Sequence, residues 1–223
     1  KAAGLPVWKL LGGRFRDRIT AYATGCYYPE QFTDLERVLR ALEAEASSYA
    51  DSGFELLKLK VGLLPLADDV ERLRVIRNAI GPKIGLLVDA NHAYTAAAAV
   101  RMGRLMEPYD IRFFEEPVVP EDRDGYRKVR AESPIAVAGG ECEFTRFGFR
   151  DLIGGGCVDI VQPDLAVCGG FSAFVQIQAM ASAYGIATVP HVWGSGIALA
   201  AAVQAVSAIP PFPHTANPIA LLN

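Results

Sequence analysis

Histidine is scarce in this chain, with three in 223 residues: His92, His191 and His214. Hydrolytic metal sites usually recruit imidazole ligands, so so small a number argues against a histidine-built hydrolase centre. Cysteine is nearly as sparse, and Cys26, Cys142, Cys157 and Cys168 form no C-x-x-C pair. They fit buried or near-site thiols in a reducing compartment, hence a cytoplasmic setting, better than a disulfide frame. No apolar stretch reaches the roughly 20 residues of a membrane helix. The Ala-rich run Ile197–Ala208 is short and broken by Gln204 and Ser207, which reads as a buried helix. Neither sign of charge dominates: 22 Lys and Arg stand against 25 Asp and Glu, a net charge of −3. That leaves no basic surface for nucleic acid and no charged tail. An initiating methionine and a signal peptide are also missing. Lys1-Ala-Ala-Gly-Leu-Pro and the abrupt Asn223 are expected to be the ends of a fragment.

What is present is apolar residue, 51% of the chain, enough for a full-sized core. Short apolar runs bounded by turn residues read as seven strands: Ile19–Thr24, Leu56–Lys60, Ile84–Asp89, Arg112–Glu115, Ile135–Ala138, Val158–Val161 and Ile186–Val189. Amphipathic stretches alternate with them at Asp34–Tyr49, Ala67–Ile80, Thr95–Glu107, Arg123–Glu132, Gly170–Tyr184 and Gly196–Ser207. Thr33 and Thr95 are candidate N-caps, and Gly81-Pro82 stops the helix before the third strand. Continuous apolar strands alternating with helices imply an α/β protein whose parallel sheet is covered on both faces.

Six ionisable residues punctuate this repeat: Lys60, Asp89, Glu115, Glu141, Asp164 and His191, spaced 29, 26, 26, 23 and 27 residues apart. A βαβ unit takes roughly 30 residues, so each lies just past a strand. Periodicity alone does not separate an open doubly wound sheet from a closed barrel. Functional residues after each of the last six strands favour a barrel, whose active site gathers at the C-terminal strand ends. The expected fold is a TIM-type (β/α)7β barrel spanning 1–223 as one catalytic domain, with the eighth strand beyond Asn223.

Asp89, Glu115 and Glu141 place one carboxylate at each of three adjacent strand ends. One such acid alone reads as a helix cap or an arginine partner. Three converging in a partly buried mouth repel unless a cation compensates, and oxygen-only donors suit Mg²⁺. Lys58 and Lys60 alternate with Leu57 and Leu59, so both point to one face of their strand. Positive neighbours lower a lysine's pKa, which suits it to general-base work. Asp164, one strand before His191, is placed to hold the imidazole tautomer. A proton-abstracting base paired with Mg²⁺-stabilised enediolate chemistry is the pattern of enolase-superfamily sites.

The motifs Lys58-Leu59-Lys60, Asp89-Ala90-Asn91, Glu115-Glu116-Pro117, Gly140-Glu141, Asp164 and His191 occur in the order of that superfamily. The chain thus resembles its mandelate racemase subgroup (mandelate racemase/muconate lactonizing enzymes). The resemblance implies Lys60 and His191 as opposite acid/base groups, with Lys58 modulating the first and Asp164 the second. It implies Asp89, Glu115 and Glu141 as Mg²⁺ ligands, and Asn91, His92, Glu116 and Trp193 near the ligands or substrate. Asp89-Ala-Asn-His-Ala-Tyr94, Phe114-Glu-Glu-Pro-Val-Val-Pro-Glu121 and Pro190-His-Val-Trp-Gly194 are similar to the galactarolactone cycloisomerase branch, with acid-sugar dehydratases close by. The implied activity is α-proton abstraction and β-elimination on a sugar acid or its lactone. Racemisation or epimerisation of a 2-hydroxy acid is the alternative, and a non-catalytic binding barrel the rival from another class. A homo-oligomer is implied too. The family's N-terminal α+β capping domain and the acidic residue of an eighth strand find no match here.

Overall fold

The computed structural model describes residues 2–29 and 34–212. Thr33 and His214 lie outside them. In chain order the elements are α1 (Val7–Leu10), β1 (Ala23–Gly25), α2 (Leu35–Asp51), β2 (Leu56–Lys60), α3 (Leu66–Ile80), β3 (Gly85–Asp89), α4 (Ala96–Met106), β4 (Ile111–Glu115), α5 (Arg123–Glu132), β5 (Val137–Gly139), α6 (Thr145–Gly154), β6 (Ile160–Val161), α7 (Gly170–Ala183), β7 (Ala187–Thr188) and α8 (Gly196–Ser207). The seven strands form a parallel sheet in chain order, as the α/β repeat requires. Two compact units are distinguished: Ala21–Ala138, and the described parts of Lys1–Thr20 with Gly139–Asn223.

In the unit Ala21–Ala138, register sets the level of the chemistry. Lys60 is level with Asp89, Asp89 with Glu115, and Glu115 with Ala138. Successive ionisable side chains therefore stand at the same height on neighbouring strands. Leu57 and Leu59 are buried on the opposite face of β2, with Leu86, Val88 and Phe114 in the adjoining core. Helix α2 buries Val38, Leu42 and Ala46 at four-residue steps, one stripe of an amphipathic helix. Asp34 is its cap, accepting the Glu36 N–H, rather than its first residue. The Thr95 side chain caps α4 as expected, accepting the Ala98 N–H, and α3 ends at Gly81 with φ of 70°.

In the other unit β6 and β7 pair in parallel, Ile160 with Ala187 and Val161 with Thr188. Phe149, Leu152 and Ile153 of α6 and Phe174, Ile177 and Ala181 of α7 are buried. The N-terminal segment is tied to α8: Phe15 N–H donates to Ser207 O at 2.8 Å and Arg16 Nη1 to Ile209 O at 2.9 Å.

Several expectations need correction. β1 has only three residues, because Ala23–Gly25 alone finds a partner register on β2. The apolar residues before it stay outside the ladder. α6 and the one-turn α1 were not expected as helices. Helix α8 is not a buried helix throughout, since Ile197 is 83% and Leu199 55% exposed. Its small residues Ala202 and Ala205 turn inward while the larger aliphatics turn outward.

Candidate active site

Lys58 and Lys60 leave β2 on the same face, and both reach the carboxylates of the next strands. Lys58 Nζ lies 3.0 Å from Asp89 Oδ2 and 2.7 Å from Glu115 Oε1. Lys60 Nζ is 2.5 Å from Asp89 Oδ2 and 2.5 Å from Asn91 Oδ1. Asp89 Oδ1 accepts the Asn91 N–H at 2.9 Å. Asp89 and Glu115 are both fully buried, and a buried carboxylate is tolerated only when paired. Here two ammonium groups balance two carboxylates.

Electrostatics follow that balance. Burial pushes the Asp89 carboxyl up, but the Lys58 and Lys60 charges outweigh it and hold it below the usual carboxylate range. Burial pulls the Lys58 ammonium down, and Glu115, Tyr22 and Asp89 more than reverse this, raising it above the ordinary lysine value. The nearest charged groups of Lys58 are carboxylates, so its shift runs opposite to the one a positive neighbour alone would give. The ring of Tyr22 lies 5.5 Å from Lys58 Nζ, a contact the strand pattern did not reveal.

The loops leaving β3 and β4 turn back sharply. Asn91, His92 and Glu116 have φ of 40°, 67° and 42°, the left-handed region that non-glycine residues seldom occupy and that clusters at functional sites. His92 N–H donates to Glu116 O at 2.8 Å. The two side chains meet as well, with Nε2 2.6 Å from Glu116 Oε2. Beside Lys60 and Asn91 opens a cavity of about 340 Å³ walled by Tyr27, Tyr28, Gly62, Leu63 and Ala93.

The other unit holds the second group of expected residues. His191 Nδ1 lies 2.8 Å from Asp164 Oδ2 and His191 Nε2 3.4 Å from Glu141 Oε2. Asp164 is itself fixed, its Oδ1 accepting the Ala166 N–H at 2.7 Å. A carboxylate at Nδ1 holds the proton there and leaves Nε2 for chemistry. Gly140, just before Glu141, has φ of 122°, and a Cβ there would lie 2.8 Å from Phe149 Cε1. Only glycine fits both conditions. Trp193 is 71% exposed.

Residues 41–219 match the family described as Enolase C-terminal domain-like. The chain belongs to that family. Within the enolase superfamily its relatives include a D-galactarolactone cycloisomerase from Agrobacterium fabrum, 42% identical across 98% of this chain and 57% of that protein. Among solved structures, the 3,6-anhydro-D-galactonate cycloisomerase from Zobellia galactanivorans superposes with a TM-score of 0.86 at 41% identity, covering 93% of this chain and 56% of that one. A racemase from Streptomyces coelicolor A3(2) with bound magnesium superposes with a TM-score of 0.82 at 31% identity, covering 94% and 55%. The chain thus spans a little over half the length of these enolase-superfamily relatives. The family match bears out the TIM-barrel fold class, with seven strands among the described residues.

Asp69 and Arg72, both fully buried, are site neighbours that sequence reasoning passed over. Their signal was present: two opposite charges three residues apart on the stripe of α3 that also carries Leu73 and Ile76.

Proposed function

We propose that this chain is the catalytic barrel of a Mg²⁺-dependent enzyme that removes the proton α to a carboxylate of a sugar acid or its lactone. β-Elimination then opens the lactone or expels hydroxide. The observation that carries the reading is the pair Lys58 and Lys60, whose ammonium groups both engage strand-end carboxylates. The low exposure of the Lys60 side chain, 18%, and its bonds to Asp89 and Asn91 support a role in proton transfer rather than in solubility.

Asp89, Glu115 and Glu141 are the residues that would hold Mg²⁺. All are hard oxygen donors, and the space between Asp89 and Glu115 already takes a cation, the Lys58 ammonium. When bound, the ion supplies Lewis-acid stabilisation of negative charge developing on the substrate carboxylate. Lys60 acts as one acid/base. Lys58, two residues away on the same strand face and ion-paired with Asp89 and Glu115, modulates it. His191 acts as the other through Nε2, with Asp164 stabilising the ring when it is protonated. Asn91, His92, Glu116 and Trp193 are assigned to substrate contacts or to support of the ligands.

The full-length protein is expected to be a cytoplasmic homo-oligomer acting on a small carboxylate. Among the described residues no helix is long and apolar enough to cross a membrane. Likeness to a racemase keeps a second reading in view, racemisation or epimerisation of a 2-hydroxy acid. Proton NMR in D₂O against hexarates, their lactones and aldonates separates the two. Elimination gives a 3-deoxy-2-keto acid, whereas epimerisation gives a deuterated stereoisomer. Formation of neither a 3-deoxy-2-keto acid nor an α-deuterated stereoisomer across the panel by the full-length, Mg²⁺-loaded protein would overturn both.

A further inference from the structure

β2 ends at Lys60, so the main chain that follows must find its hydrogen bonds outside the sheet ladder. Two of them come from α3. Arg72 Nη1 donates to Lys60 O at 2.8 Å and to Asp69 Oδ1 at 2.9 Å, while Nη2 donates to Cys26 O at 2.9 Å. Asp69 Oδ2 accepts the Gly62 N–H at 2.8 Å. Asp69 Oδ1 also accepts from the Tyr28 hydroxyl at 2.6 Å, which in turn accepts the Leu63 N–H at 3.1 Å. The Arg72 guanidinium lies 3.9 Å from the Tyr28 ring centroid.

One buried ion pair therefore holds the chain directly at Lys60 and Gly62 and through Tyr28 at Leu63, and Val61 N–H is taken by Asp89 O at 2.9 Å. Gly62 suits the constraint, with φ of 106° and a Cβ position only 2.3 Å from Ala93 Cβ. A buried ion pair contributes little net stability compared with apolar residues of like volume. Its bonds here run to the backbone of the proposed base and to the end of the preceding strand. We infer that Asp69 and Arg72 are positioning residues for Lys60, an inference that rests on the proton-transfer role proposed for that lysine. Displacement of a reacting group by about 1 Å costs on the order of 10²-fold in rate, so a clamp on the lysine's main chain acts on kcat.

Arg77 of the same helix supplies a control. It also clasps main-chain carbonyls, those of Gly81 at 2.9 Å and Ile84 at 2.7 Å, but these precede β3 rather than follow β2.

The test uses the full-length, Mg²⁺-loaded enzyme with whichever hexarate or lactone it turns over. Asp69→Asn and Arg72→Lys should each lower kcat and the α-proton exchange rate about 10²-fold. KM and calorimetric Mg²⁺ affinity should stay within about threefold, as should kcat for Arg77→Lys. Tyr28→Phe, which removes one hydroxyl and keeps the ring, should fall in the same direction by a smaller factor; it keeps the inference testable if the charge variants fail to fold. Folded Asp69→Asn with wild-type kcat overturns the inference, and so does a loss that Arg77→Lys reproduces. Lys60→Ala is run alongside. If it keeps wild-type turnover, the role of Lys60 fails; if it is inactive while the folded clamp variants turn over normally, only the positioning inference fails.

Discussion

Asp164 Oδ2 stands 2.8 Å from His191 Nδ1, and its other oxygen is anchored by the Ala166 N–H at 2.7 Å. The carboxylate cannot rotate away without losing a backbone bond, so it orients the ring as well as bonding it. It also fixes which nitrogen carries the proton in the neutral imidazole.

Replacing Asp164 by Asn should therefore cost about 10²-fold in kcat, in line with losses on removing an orienting partner of a functional histidine. An amide can present its NH₂ to Nδ1 and favour the wrong tautomer. ¹⁵N NMR of His191 in the variant checks the tautomer directly, and steady-state rates check the cost. A variant with native tautomer and native rate would remove Asp164 from the proton-transfer scheme.

Glu115 Oε1 is 2.7 Å from Lys58 Nζ, in a site where neither side chain is more than 5% exposed. Glu115→Gln removes a proposed ligand and leaves part of a buried ammonium uncompensated. Calorimetry should show Mg²⁺ binding weakened at least tenfold. Thermal unfolding should show a loss of up to about 3–5 kcal/mol, the range for breaking a buried pair. Wild-type activity should vanish with EDTA and return with added Mg²⁺. Unchanged Mg²⁺ affinity in a folded Glu115→Gln protein would exclude this carboxylate as a ligand.

Acid should weaken the metal-free protein in a window set by Asp89. Its folded pKa is depressed, so its contribution is present above the unfolded value of about 3.9 and is lost as pH falls through the folded value. Lys58 is shifted the other way. Its contribution is complete below about pH 10.4, the unfolded value, and is lost only as pH rises through the higher folded value. The acid limb therefore belongs to Asp89 and not to Lys58. Urea midpoints measured in EDTA from about pH 6 to pH 2 should fall more gently for Asp89→Asn than for the wild type. Parallel slopes would mean that other carboxylates carry the acid sensitivity.

Residues whose chemistry depends on strand position were legible, because a parallel repeat converts sequence spacing into a common level. Lys60, Asp89 and Glu115 are cross-strand neighbours, and His191 meets Asp164, as spacing implied. Charged residues inside helices were harder to read. Asp69 and Arg72 look like a surface i,i+3 pair until Leu73 and Ile76 show that their stripe is buried. The upward shift of Lys58 was not legible, because composition shows which charges exist but not which are nearest. Helix α6 was missed because Gly148 interrupts it, although Phe149, Leu152 and Ile153 keep the helical spacing.

Lys60→Ala and His191→Ala should each abolish turnover, and the double variant should be little worse than either single one. Two groups that act in one proton-transfer sequence are not additive, since removing either already stops the sequence. The single variants should differ in α-proton exchange. The one that lacks the abstracting base loses exchange in D₂O, while the one that lacks only the protonating group still exchanges and fails to eliminate. Which residue behaves which way reports the configuration of the substrate α-carbon. Metal binding should persist in Lys60→Ala, because the carboxylates remain and Lys58 still offsets their charge. Persistence of both binding and fold makes the kinetic comparison interpretable. Near-normal turnover in either single variant would assign that residue to structure and leave the other as the sole base.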